Sequence, residues 1–204
     1  MQLKNILIYS YFVLVTCAST SVSASALSNG DFSSGDLSNW TSNGSVNVIN
    51  SGFNTSGAGL TADLFAGLGV NIPTTLSQTF YLNAGDSLSG QAQWIGWDYL
   101  PNNDYGSVSI QDASANTNTL FYADITTYGD FGASAVDNFS FIAPVSGDYT
   151  LTAAVANAGD NSSPSELQVA NFVVTPVPIP GGLNLFVSAL AAVLLQQRRF
   201  FKFC

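Results

Sequence analysis

The chain has 204 residues, of which 47% are hydrophobic and only 8% charged, with thirteen acids, four bases and no histidine for a formal charge of −9. The four bases (Lys4, Arg198, Arg199 and Lys202) lie near the two ends, so residues 27–175 carry all thirteen carboxylates and no cation, a formal charge of −13. That distribution excludes nucleic acid as a partner, because nothing in the span can neutralise phosphates, and it excludes docking on anionic lipid for the same reason.

The first element is an N-terminal targeting segment. Lys4 supplies its positive charge, residues 6–18 are an apolar run, and Ala24-Ser25-Ala26 offers small residues for a signal peptidase. We expect a signal peptide over residues 1–26, cleaved after Ala26 or, alternatively, after Ala24. Residues 27–175 then form one domain, long enough for a substantial core, and residues 176–204 form a third segment.

The domain reads as β structure throughout. Short runs of alternating character recur at 46–50, 76–82, 87–97, 106–112, 119–125, 138–143, 147–157 and 166–174. In the run at 147–157, Tyr149, Leu151, Ala153 and Val155 share one face while Thr150, Thr152 and Ala154 share the other, as a half-buried strand requires. Turn chemistry separates the runs, as in "NAGD" at 83–86 and "PVSGD" at 144–148. No amphipathic stretch of helical length interrupts them. Eight to nine short strands at this spacing predict an all-β, jelly-roll-like β-sandwich.

The opening "LSNGDFSSGDLSNWT" (27–41), with "LSGQAQWIGWDYLPNNDYGSVSI", "FIAPVSGDYTLTAAVANAGDN" and the closing "SELQVANFVV", resembles carbohydrate-binding modules and galactose-binding-like jelly rolls. The resemblance runs over most of residues 27–174 and implies a jelly roll with a sugar-binding role. It also implies a structural calcium held by an acid after the opening Phe and an Asp before an Asn in the last strand. Here those positions read Ser33 and Ala170, with Asn171 following, so Asp31 and Asp36 with backbone carbonyls become the calcium candidates.

The richest stretch for chemistry is "WIGWDYLPNNDYG" (94–106). Aromatic faces stack on the apolar faces of sugars, and Asn and Asp hydrogen-bond their hydroxyls. Trp97, Tyr99, Asn102, Asn103, Asp104 and Tyr105 are therefore the candidate ligand residues. Asp98 and Asp104, six apart, are an alternative calcium pair, since hard oxygen ligands suit that ion. Trp94 and Trp40 are expected in the core. With no Lys, Arg, His or Cys in the domain, catalytic triads, Schiff bases and imidazole or thiolate metal sites are absent. Only a carboxylate pair remains, and no motif places one. A non-enzyme is expected.

The last segment opens with Val177-Pro178-Ile179-Pro180, where the prolines enforce extended backbone. An uncharged, mostly apolar stretch follows at 181–195, then a basic tail at 196–204 containing Arg198 and Arg199. Fifteen helical residues span roughly 22 Å, short of the ~30 Å hydrocarbon core, and the arginines would stay cytoplasmic. The three-part order resembles a PEP-CTERM sorting signal. Ile179 stands where that family's typical motif has glutamate, which makes the motif closer to the Val-Pro-Leu-Pro variant. The resemblance implies export across an inner membrane, transient anchoring with the domain in the periplasm, and processing by an exosortase-type enzyme before display at the cell surface or release. A permanent single-pass anchor is the alternative. Together these readings predict an exported protein that associates with exopolysaccharide. The alternative is a structural matrix protein without a discrete ligand, cross-linked through divalent cations.

Overall fold

The computed structural model describes residues 26–51 and 59–177. The remainder of the expected signal peptide, the motif residues Pro178, Ile179 and Pro180, the apolar stretch 181–195, and Arg198 and Arg199 lie outside the described residues. Among the described residues there are ten strands, one more than the upper expectation: β1 Thr41–Asn43, β2 Ser45–Asn50, β3 Leu60–Phe65, β4 Thr74–Leu82 and β5 Ser87–Ile95, then β6 Tyr105–Asp112, β7 Thr117–Asp124, β8 Asp137–Ile142, β9 Gly147–Ala156 and β10 Glu166–Thr175. One short helix, α1 Ile125–Tyr128, follows β7.

The strands form two five-stranded sheets, ordered β1-β4-β9-β6-β7 and β2-β3-β10-β5-β8, in which every strand pair is antiparallel. The alternation expected of β9 holds, with Tyr149, Leu151, Ala153 and Val155 all buried. They meet Leu88, Ala92, Trp94, Leu167 and Val169 of the facing sheet in a single apolar core. Trp94 and Trp40 are both core residues. Trp94 fits because Gly106 lies against its ring; a Cβ there would sit 2.6 Å from its Cδ1. The opening turn closes one flank of the sandwich. Phe172 donates its N–H to Gly30 O at 2.9 Å, and Phe32, Trp40 and Phe172 pack with ring centroids 5.4–6.3 Å apart.

β5 organises the molecule for function because its two ends mark opposite ends of the sandwich. Ser87 pairs with Thr175 at one end and Ile95 with Glu166 at the other, eight residues on, about 26 Å away. At the first end, Ala26, Leu27 and Pro176 share a cleft of about 440 Å³ with Asn83 and Asp86, and Val177 donates its N–H to Asp86 Oδ1 at 3.0 Å. At the second end lies the aromatic-rich loop.

Candidate functional site

The outward face of the β2-β3-β10-β5-β8 sheet follows from the register. Ser45, Phe65, Glu166 and Ile95 form one cross-strand row; Asn47, Asp63, Gln168 and Gln93 form the next. Trp97 lies two residues beyond Ile95 and so continues this face. Its indole N–H donates to Glu166 Oε1 at 2.9 Å and its backbone N–H to Ser165 Oγ at 3.3 Å, yet the residue is 50% exposed.

The loop after β5 is zipped to the loop after α1. Gly96 donates to Gly132 O at 2.7 Å, Phe131 to Asp98 O at 2.8 Å, and Leu100 N–H to Asp130 Oδ1 at 3.0 Å. This pairing sets the Tyr99 ring beside Phe131, centroids 5.8 Å apart and planes tilted by 38°. Tyr99 is 50% exposed and Phe131 63%. Trp97, Tyr99 and Phe131 are therefore large aromatic surfaces held open to solvent by backbone bonding. Phe131 was not singled out from the sequence. Its signal was an aromatic inside the turn-like "YGDFGAS", which links to Tyr99 only once the two loops are paired.

The other expected ligand residues are bonded within the protein, and of these only Asp104 is buried. Asn102 donates to Asp160 Oδ2 at 2.9 Å and, at 3.5 Å, to Asp98 Oδ1. Asn103 Oδ1 accepts from the Thr126 backbone N–H at 2.7 Å and its hydroxyl at 2.9 Å, while Asn103 Nδ2 donates to Asp124 Oδ2. Asp104 is fully buried, out of a sugar's reach, and accepts from Ala158 N–H at 2.8 Å and Ser165 Oγ at 2.7 Å. Burial pushes its carboxyl up, and the charges of Asp98 and Asp160 add to the effect against those two hydrogen bonds. Tyr105 belongs to the opposite sheet, stacked on Tyr122 at 6.2 Å.

The two calcium pairs are likewise placed. Asp31 Oδ1 accepts from Ser33 N–H at 3.1 Å, and Asp36 Oδ1 from Ser34 Oγ at 2.7 Å and Ser38 N–H at 3.0 Å, so both are built into the opening turns. Asp98 is buried, with Oδ1 accepting the Tyr99 N–H at 2.7 Å. Among the described residues, no three acids come together as a group able to hold a metal ion.

The polar row beside Trp97 escaped the sequence reading altogether. Asp63 is only 3% exposed, and among the described residues its Oδ1 has no hydrogen-bond partner. Burial, and next the charge of Glu166, push its carboxyl up to about 7 despite a hydrogen bond from Gln168.

No protein-family model matches the chain, and a search of the curated proteins returns no match. Among solved structures it is similar to TmCBM61 in complex with beta-1,4-galactotriose, with 17% identity, a TM-score of 0.50 and coverage of 74% of this chain and 97% of that one. The two share a jelly-roll β-sandwich fold. More distant similarity extends to the CBM22-1 xylan-binding domain of Paenibacillus barcinonensis Xyn10C (11% identity, TM-score 0.41, 74% and 93% coverage). It also extends to the enzymatically active domain of bacteriophage CBA120 tailspike protein 4 (15% identity, TM-score 0.47), where 75% of this chain covers 21% of the other.

Proposed function

We propose that the protein is an exported, non-catalytic glycan-binding protein that holds exopolysaccharide on its Trp97–Tyr99–Phe131 end. The observation that carries this reading is that three aromatic side chains at one end stay exposed while the backbone beneath them is fixed by cross-loop hydrogen bonds. Preorganised aromatic surface of this kind loses little conformational freedom on binding. The shared fold with carbohydrate-binding modules supports the reading.

Export and display belong to the same proposal. A signal peptidase removes residues 1–26, and an exosortase-type enzyme processes the segment from 176 after transient anchoring in the inner membrane. The described part of the domain suits this: Ala26 and Val177 lie at the end opposite the aromatic surface, which leaves that surface pointing away from an attachment.

The test is titration of the purified full chain with the producing cell's exopolysaccharide, followed by tryptophan fluorescence. Saturable binding should weaken at least about tenfold in Trp97→Ala, equivalent to ~1.4 kcal/mol, with an unchanged melting curve. Undiminished affinity in that variant contradicts the proposal. Calcium-driven sedimentation insensitive to Trp97→Ala would instead support a matrix protein cross-linked by divalent cations.

A further inference from the structure

The aromatic end is also where carboxylates gather. Asp98, Asp104, Asp124, Asp130, Asp160 and Glu166, six of the thirteen acids, meet there through hydrogen bonds to the two zipped loops and their neighbours. No basic residue occurs anywhere in residues 27–175 to balance them. Most of these oxygens accept from backbone or side-chain donors of the loops. Beside Glu166, however, the second polar row contains Asp63, nine-tenths buried and more, with Oδ1 lacking any donor. The Glu166 charge beside it has no basic side chain within residues 27–175 to balance it.

We infer that the aromatic end selects a cationic glycan, an amino-sugar polymer with free ammonium groups. One ammonium sits against Glu166, while the sugar faces stack on Trp97, Tyr99 and Phe131. This rests on the proposed aromatic-end binding and names its substrate class. The ammonium is attracted both by the Glu166 carboxylate and by the face of the Trp97 indole, whose N–H already fixes that carboxylate at 2.9 Å. The carboxylates at this end, set in a domain of charge −13, raise the local concentration of a polycation and repel a uronate-rich chain. A neutral sugar would leave the Glu166 carboxylate without a counter-charge, since residues 27–175 hold no basic side chain. A metal ion is the weaker fit, since among the described residues no group of three acids could hold one. A lysine-rich peptide would satisfy Glu166 but has no apolar ring face for three exposed aromatics.

The experiment is calorimetric titration of the purified full chain with glucosamine oligomers, the same oligomers fully N-acetylated, and lysine oligomers of matched charge. It is run at mildly acidic pH, where glucosamine amines carry their protons. The glucosamine series should bind at least about tenfold tighter than the acetylated series, and the advantage should shrink as salt is raised. Glu166→Gln, which keeps an acceptor for the Trp97 indole, should erase the advantage of the glucosamine series. Asp130→Asn, which keeps the acceptor for Leu100, should reduce it, and it serves if Glu166→Gln does not fold. Equal affinity for both sugar series, lost in Trp97→Ala, overturns the amino-sugar inference while leaving the aromatic-end reading intact. Lysine oligomers that match glucosamine, with Trp97→Ala changing nothing, reduce the effect to plain charge attraction and overturn it too. Absence of any Trp97-dependent sugar binding overturns both readings.

Discussion

Asp63 occupies a buried position between Asn47 and Gln168, amides rather than charges, and one of its oxygens has no donor. Because burial and then Glu166 push its carboxyl up to about 7, the folded chain holds a proton that the unfolded chain has released over the range between the ordinary carboxylate value and that point. Folding stability should therefore fall as pH rises through that window and level off above it. Asp112, held below the usual carboxylate range by Asn116, and Asp86, held there by Asn83 and Val177, act the opposite way, losing stabilisation only at more acid pH. Stability should peak in the mildly acid range. Asp63→Asn should flatten the decline toward neutrality and stabilise the protein above pH 7 by an amount on the order of a few kcal/mol. Denaturant midpoints taken across the pH series test this; an unchanged slope in the variant contradicts it. None of this was readable from the chain, where Asp63 is one acid among thirteen. By contrast, Trp94 and Trp40 were readable as core residues, because Trp94 sits in an alternating strand and Trp40 in a recognisable opening motif.

At the scale of elements, β9 and β5 were legible because their apolar residues keep a period of two over nine or ten positions. β1 and β3 were not. β1 is three exposed residues, too short to show a period. β3 buries Thr61 and Asp63 as well as Ala62 and Leu64, so its burial does not follow its polarity. The run expected at 119–125 also ends differently. Asp124 closes β7, its Oδ1 accepts the Thr127 N–H at 2.8 Å, and Ile125 starts α1. Burial raises the Asp124 carboxyl, but its hydrogen bonds with Thr127, Asn103 and Tyr122 together outweigh this and hold it below the ordinary value. The same side chain accepts from Asn103 and Tyr122, so one carboxylate ties the short helix to the β5–β6 loop. Asp124→Ala should cost about 1–2 kcal/mol through the lost cap. It should also lower the affinity for glycan by loosening the loops that present Tyr99 and Phe131. Thermal unfolding and titration of the same variant check both; full stability would show that α1 does not need its cap. The loop's composition singled out Trp97 and Tyr99 as sugar-contact candidates, and both are exposed. It could not show that Asn102, Asn103 and Asp104 find partners 21 to 61 residues away, because sequence spacing does not reveal which loops meet.

Across the whole molecule, the arrangement is polar in the geometric sense. Ala26, Pro176 and Val177 lie at the end of the sandwich where Asn83 and Asp86 turn the chain between β4 and β5. The exposed aromatics and six carboxylates lie at the other, a β-strand's length away. The outward face of the β1-β4-β9-β6-β7 sheet is different in character, with Thr79 and Thr150 bonded hydroxyl to hydroxyl at 2.8 Å and Tyr122 stacked on Tyr105. Fold class and acidity were plain from composition and periodicity. The separation of the end that holds Ala26 and Val177 from the aromatic end was not, since it depends on which strand termini coincide. That separation makes one measurement most direct: hydroxyl-radical footprinting of the full chain, free and saturated with exopolysaccharide. Trp97, Tyr99 and Phe131 should lose reactivity on binding while Tyr122, equally exposed on the opposite sheet, keeps its own. Protection of Tyr122 with Trp97 still reactive would place any glycan on the wrong face and contradict the account.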